Sequence, residues 1–129
     1  MAKMNQLTVS CANRPGALAN IAEILGQANV NILAFNAGSA GTMSYVQFIV
    51  DHVNRARKAL EDKSFSCYDE RVLRVTLPNV PGALFRLASK LGGKNINIGA
   101  AYQTTVEGSE KANIVLAVSD LDMADRIRY

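Results

Sequence analysis

The sequence repeats one pattern of polar and apolar residues at an offset of 66 residues. Residues 13–32 and 79–98 align without a gap, and 11 of their 20 positions are identical. The identities include two asparagines and a Pro-Gly pair, which a shared apolar core alone would not preserve. Solenoid repeats typically have a period of about 20–50 residues, so a longer unit indicates a small domain. We therefore predict two copies of one domain, over residues 1–70 and 71–129.

The first copy predicts the element order βαββαβ. Strands are expected where apolar and polar residues alternate, and helices where apolar residues recur every three or four positions. Pro15 suits a first helical turn, because its missing N–H would have no partner there, and Asp51 is a candidate N-cap. The apolar face of the first helix is predicted to consist of Leu18, Ile21, Ala22 and Leu25. The strands are predicted at residues 4–11, 30–36, 43–50 and 65–70, with a turn at residues 38–41.

The second copy predicts the same order but lacks the fourth strand. Its strands are predicted at residues 72–77, 95–103 and 112–118, and its helices at residues 81–91 and from Leu121. Asp120 is a candidate N-cap for the last helix. The first strand of this copy would be an unpaired edge unless another segment pairs with it. We expect residues 65–77 to form one long strand that serves both sheets.

These patterns place the protein in the α+β class. Each copy is expected to form a ferredoxin-like βαββαβ module, in which both helices cover one face of an antiparallel sheet. The prediction is two tandem modules of this kind, the second lacking its last strand.

Each copy has the sequence Asn-x-Pro-Gly-Ala-Leu where its first strand meets its first helix. Unpaired N–H groups at a helix start attract a carboxylate or phosphate, and an asparagine amide can both donate to and accept from a zwitterion. Glycine lets a ligand approach the backbone closely. These residues are also common in turns, so a purely structural role stays open. The candidate ligand-binding residues are Asn13, Pro15, Gly16, Ala17, Leu18 and Asn31 in the first copy and Asn79, Pro81, Gly82, Ala83, Leu84 and Asn97 in the second.

The run from Ala12 to Leu18, followed by Asn-Val-Asn-Ile at residues 29–32, resembles the ACT domain. This family comprises small βαββαβ regulatory modules that bind amino acids, and the similarity extends over nearly the whole chain as a tandem pair. The chain is similar to the regulatory domain of phosphoglycerate dehydrogenase and to stand-alone tandem ACT proteins. The resemblance implies that an amino acid lies between adjacent modules. It would be held by Asn13 with Asn97 and by Asn79 with Asn31, within one chain or across two.

The function that we expect is that of a non-catalytic sensor, which binds a free amino acid and regulates an enzyme of amino-acid metabolism. Modules this small bury little surface alone, so a homodimer is expected. The alternative is a regulatory subunit without a ligand of its own, such as that of acetolactate synthase, which docks on an enzyme through its exposed sheet edge.

Other classes of function find little support in the sequence. The only histidine, His52, has no Ser or Cys in a catalytic spacing, and there is no phosphate-binding loop or cluster of metal ligands, so no cofactor is expected. The net charge of +3 arises in residues 71–129, with eight basic and five acidic residues, which is too weak a bias to predict nucleic-acid binding. No apolar run approaches the length of a membrane span. Cys11 and Cys67 lack a paired spacing, which suits reduced thiols in the cytoplasm.

Overall fold

The computed structural model describes residues 2–129, and Met1 lies outside the described residues. The chain forms two compact units, which we call the first module, Asn5–Glu70, and the second module, residues 2–4 with Arg71–Tyr129. The elements are β1 (Ala2–Ala12), α1 (Ala17–Gln27), β2 (Ile32–Ala40), β3 (Met43–Val50), α2 (Val53–Asp62), β4 (Ser66–Pro78), α3 (Ala83–Gly93), β5 (Ile98–Thr104), β6 (Lys111–Val118) and α4 (Leu121–Arg126).

The first module is an antiparallel sheet in the order β2-β3-β1-β4 with α1 and α2 on one face. Leu7 of β1 lies opposite Phe48 of β3, and both side chains are buried against the helices. Alternate residues of a strand face opposite sides, so these positions form one apolar face. The core is completed from the helices by residues such as Ile21, Leu25 and Leu60.

The second module has the strand order β1-β4-β6-β5, and its core includes Leu73, Leu116, Leu87 and Leu91. The predicted ferredoxin-like fold is thereby confirmed for both copies. Within residues 2–129 no strand follows α4, as predicted.

The N-terminal end of β1 belongs to the second module and supplies the neighbour of β4 that a fourth strand would otherwise provide. Lys3 of this segment donates a hydrogen bond to Asp122 Oδ1 at 2.6 Å, and its Nζ lies 4.0 Å from Asp125 Oδ2. The predicted long strand is also found, because β4 runs without a break over Ser66–Pro78.

Of the three predictions about the starts of helices, two are wrong and one is confirmed. The first helix begins at Ala17 rather than in a turn containing Pro15, because Gly16 takes a left-handed conformation at φ 85°. Asp51 does not cap α2, because its Oδ1 accepts a hydrogen bond from the Asn31 N–H at 2.9 Å instead. Asp120 does cap α4, accepting from the N–H of Met123 at 2.9 Å.

The buried face of α1 is also shifted from the prediction. Leu18 is 42% exposed and Ala22 is exposed, whereas Ile24 is buried beside Leu25. Leu18 lies in the first turn of the helix, beyond the edge of the core. The predicted turn at residues 38–41 is shorter in the structure, since β2 continues to Ala40. None of the four helices in the described chain is long and apolar enough to cross a membrane.

Candidate functional site

The junction between β1 and α1 is joined to the hairpin loop of the same module through Asn13. Its main-chain N–H donates to the Thr42 carbonyl at 2.8 Å, and its Nδ2 donates to the Gly41 carbonyl at 3.1 Å. The side chain is exposed, and its Oδ1 has no hydrogen-bond partner among residues 2–129. Asn13 therefore has a structural role, and its amide oxygen still offers an acceptor to a ligand N–H group.

The second module repeats this arrangement at Asn79. The main-chain N–H donates to the Glu110 carbonyl at 2.9 Å, and Nδ2 donates to the Ser109 carbonyl at 2.9 Å. Two asparagines that are 66 positions apart thus make the same pair of bonds to equivalent loops. The repeated residue is explained by a repeated geometry.

The helices that follow these asparagines begin without a side-chain cap. Gly16 and Gly82 occupy the N-cap positions at φ 85° and φ 87°, a region that glycine adopts without the penalty a Cβ would bring. A Cβ built on Gly16 would meet no atom within 4 Å, so the backbone conformation and not close packing requires this glycine. The predicted reason for the glycine, close approach of a ligand, is therefore not needed to explain it.

The first turns of α1 and α3 expose backbone donors. In the part of the chain that the structure describes, the N–H groups of Leu18 and Ala19 have no protein acceptor, and neither do those of Leu84 and Phe85. A helix start with unpaired N–H groups carries partial positive charge and favours an anion. Each module therefore presents donors for a carboxylate close to an asparagine oxygen that can accept from an ammonium group.

Asn31 and Asn97 use their main chains for folding. Asn31 exchanges hydrogen bonds with Asp51, its N–H donating to Oδ1 at 2.9 Å and its carbonyl accepting from the Asp51 N–H at 3.1 Å. Asn97 does the same with Ser119, with both bonds at 2.9 Å. The side chains of both asparagines are exposed.

Asn31 does not lie near Asn13 within the first module. Asn31 bonds to the residue after the end of β3, whereas Asn13 bonds to the residue before its start. The eight residues of β3 lie between these two points, so the points are about 30 Å apart along an extended strand. Asn31 and Asn13 of the first module therefore cannot contact the same small ligand within that module.

Each corner borders a cleft, and the two clefts contain many of the predicted site residues. The first cleft, of about 270 Å³, is lined by Asn13, Arg14, Ala17, Leu18, Ala37, Gly38, Ser39, Ser44, Tyr45 and Val46. The second cleft, of about 410 Å³, is lined by Leu77, Pro78, Asn79, Val80, Gly82, Ala83, Leu84, Phe85, Ala88, Gln103, Ala112 and Ile114. The candidate residues outside both linings are Pro15, Gly16, Asn31, Pro81 and Asn97.

Sequence reasoning missed several lining residues. Arg14 and Val80 occupy the variable position inside the repeated motif, and Tyr45 and Gln103 come from strands of the following hairpin. The difference between Arg14 and Val80 was a signal that could have been used. The contribution of Tyr45 depends on strand register, which the repeat does not reveal.

The possible metal ligands and thiols of the described chain can also be compared with these corners. Within residues 2–129, no three His, Cys, Asp or Glu side chains form a cluster that could hold a metal ion. Burial, with Glu61 beside it, raises the pKa of the Cys67 thiol, so this thiol stays protonated at neutral pH. Cys67 lines neither cleft.

Comparison with known proteins identifies a family and a set of similar folds. The model of the ACT domain matches residues 5–62 and again residues 71–127. A crystal structure of a protein from Bacteroides thetaiotaomicron matches with a TM-score of 0.89 at 28% sequence identity, covering 95% of this chain and 84% of that one. No match is found among curated proteins.

Two further crystal structures share the fold at lower identity. The ligand-free regulatory subunit of aspartate kinase from Thermus thermophilus matches with a TM-score of 0.70 at 16% identity, covering 95% of this chain and 90% of that one. The corresponding subunit from Thermus flavus matches with a TM-score of 0.62 at 15% identity, covering 89% and 84%.

Proposed function

The chain belongs to the ACT domain family, and from that premise we propose that it is a non-catalytic cytoplasmic sensor of a free amino acid. Residues 1–70 and 71–129 would each act as one binding module. The amino acid would bind at an interface between modules, and the resulting change would regulate an enzyme of amino-acid metabolism. The family and the fold that the chain shares with regulatory subunits of aspartate kinase support a regulatory role.

The observation that carries this proposal is the corner that recurs in both modules. An uncapped helix start with unpaired N–H groups borders a cleft whose wall includes an asparagine with an open amide oxygen. A carboxylate satisfies the first feature and an ammonium group the second. A free amino acid is the small molecule that carries both groups on one carbon.

The outer strands supply the argument for a second copy. β2 and β5 are the outermost strands of their modules, and neither Ile32–Ala40 nor Ile98–Thr104 contains a charged residue or a proline. Strand edges without such protection tend to pair with another chain. Pairing of outer strands between copies would bring Asn31 or Asn97 of one copy towards a corner of the other copy. Within the first module alone, Asn31 lies too far from the corner at Asn13 to contact the same ligand. We therefore propose a homodimer with the ligand at its interface.

The same unprotected edge supports a second candidate function. Leu33 and Phe35 of β2 are 50% and 53% exposed, and an enzyme could use this edge for docking without any ligand. The absence of a thermal response to any amino acid, with an intact dimer or monomer, would favour this alternative.

The site assignment is tested by replacing the two corner asparagines together. In Asn13→Ala with Asn79→Ala, the increase in Tm caused by the amino acid should disappear while the far-ultraviolet circular dichroism stays unchanged. A bound ligand at one hundred times its Kd stabilises by about 2.7 kcal/mol, so its loss is readily measured. The twenty amino acids are screened first to identify the ligand.

A matched control separates ligand binding from stability. Asn29→Ala with Asn95→Ala also removes two asparagines, both of which have positive φ angles of 58° and 57° after the helices and line neither cleft. This variant should lose stability but keep its response to the ligand. An undiminished response in the corner variant would reject the assignment.

Leu33→Lys adds a charge to the β2 edge and should abolish the dimer, measured by light scattering, together with the response.

A further inference from the structure

We infer that the two clefts bind different classes of amino acid: the first binds one with a side-chain carboxylate, and the second binds one with a large apolar side chain. The inference rests on the proposed function and specifies it. It follows from residues that differ between two sites of otherwise equivalent construction.

The two clefts occupy the same place in their modules. Each is lined by the corner asparagine and by the alanine and leucine of the repeated motif. Ala37 lies opposite Val46 in the first hairpin, and Gln103, which is 66 positions further along, lies opposite Ile114 in the second. All four of these residues line their clefts, so differences between the clefts can be compared position by position.

The first difference is a charge. Arg14 lines the first cleft, and Val80 stands at the equivalent position of the second. Arg14 is exposed, makes no ion pair with another described residue, and shares its cleft with no acidic side chain. A guanidinium group binds a carboxylate through two parallel hydrogen bonds, so the first cleft holds an unused recognition group for a second carboxylate.

The second difference is the space beside the hairpin. Tyr45 lies directly opposite Gly38, and a Cβ at Gly38 would stand only 2.6 Å from the Tyr45 hydroxyl. The tyrosine ring therefore lies across the glycine and occupies part of the first cleft. The hydroxyl groups of Tyr45, Ser39 and Ser44 make its lining polar, which suits a short charged side chain.

The second cleft is larger, and most of the residues that line it are apolar. By strand register the counterparts of Gly38 and Tyr45 are Thr104 and Asn113, and neither of these residues lines the second cleft. Asn113 Oδ1 instead accepts a hydrogen bond from the Thr76 hydroxyl at 2.7 Å. Ala112 and Ile114 form the floor, and Leu84 and Phe85 stand at the rim with exposed fractions of 54% and 73%. Ala19 is the first-module counterpart of Phe85.

The apolar rim gives this cleft its preference. No charged residue lines the second cleft itself, and the Arg86 guanidinium lies outside the lining, with its Nη1 3.1 Å from where a Cβ of Gly82 would stand. A branched or aromatic side chain would cover the exposed rim and remove its apolar surface from water, which is favourable. The two modules thus bind the same amino and carboxylate groups at their corners and select different ligand side chains in the clefts beside those corners.

The test is calorimetric titration of the full chain with L-glutamate and with L-leucine, alone and in sequence. We expect one equivalent of each per chain, with neither displacing the other. Arg14→Val gives the first cleft the residue of the second and should weaken glutamate binding by about tenfold to a hundredfold, the loss typical of a charge-assisted hydrogen bond. Val80→Arg should weaken leucine binding. Lys63→Val, which removes an exposed positive charge outside both clefts, is the matched control.

The outcomes separate this inference from the proposed function. Independent binding of the two probes, with glutamate lost selectively in Arg14→Val, supports it. Competition of the two probes for the same sites overturns it but leaves the amino-acid sensor intact, and so does an effect of Arg14→Val no larger than that of Lys63→Val. If none of the twenty amino acids binds, the proposed function fails and the inference fails with it.

Discussion

Substitution of Gly16 by alanine tests the most specific structural statement about the candidate site. Gly16 holds φ 85° immediately before α1, and a Cβ at this position would meet no atom within 4 Å. The cost of the substitution is therefore backbone strain without a steric clash. A left-handed conformation costs an alanine about 1–2 kcal/mol relative to a right-handed one.

Gly26 provides the matched control within the same helix. It lies inside α1, and a Cβ there would also meet no atom within 4 Å. Gly26→Ala should increase the free energy of unfolding by about 0.5–1 kcal/mol, because alanine loses less backbone entropy on folding. Both substitutions change the unfolded chain in the same way, so the difference between them, about 1–2 kcal/mol, reports the left-handed conformation itself.

Thermal unfolding followed by circular dichroism measures this difference. For a chain of this length, the entropy of unfolding implies that each kcal/mol in the free energy of unfolding shifts Tm by about 4 °C. Gly16→Ala combines this gain with the larger left-handed cost and should therefore lower Tm by about 2–4 °C, whereas Gly26→Ala should raise it by about 2–4 °C. Gly16→Asn should lose less than Gly16→Ala, because asparagine tolerates positive φ angles, as Asn29 does at 58°. Equal Tm values for the two alanine variants would refute the reasoning.

Three further predictions concern the second module. The hydrogen bond from Lys3 lowers the pKa of the Asp122 carboxyl, so the pair should stabilise the fold above the ordinary value of 3.8 and lose this effect as the pH falls through the lowered pKa. Comparing Lys3→Met with wild type by denaturant unfolding should show a difference at neutral pH that vanishes in strong acid. Burial raises the pKa of Tyr129, whose hydroxyl donates to the Ala124 carbonyl at 3.0 Å. The contribution of this hydroxyl to the stability of the fold should therefore persist up to pH 10.0 and decline above it, and Tyr129→Phe should show no such decline. Leu91→Ala, at a fully buried position, should cost about 2–5 kcal/mol in the same unfolding assay, and a cost below 1 kcal/mol would contradict the assigned core.

Local patterns were sufficient to predict the elements of the fold. The alternation in β1 and the three-to-four spacing in α1 and α3 depend on residues close in sequence, and so the types and order of the elements are confirmed. Exact starts were less predictable. Pro15 and Asp51 have suitable chemistry for a helix start, but Gly16 and a hydrogen bond from Asn31 decide the geometry.

The candidate site was predictable only in part, and the reason is physical. The repeat singled out Asn13 and Asn79, and their equivalent bonds to the hairpin loops explain why an asparagine recurs there. The clefts beside them depend on hairpins that follow about 30 residues later in each module. Sequence spacing does not state which strand residues face which helix start, so Tyr45 and Gln103 could not be placed.

The sequence by itself determined that this protein contains two copies of one βαββαβ module, because periodicity and the exact repeat are properties of neighbouring residues. Only the tertiary structure decided how the second copy manages without a fourth strand. Residues 2–4 belong to that module although they lie some 70 positions before it, and Lys3 pairs with Asp122 across 119 positions of sequence. Such contacts are selected by the folded chain as a whole, since a strand edge accepts any segment that can complete its hydrogen bonds.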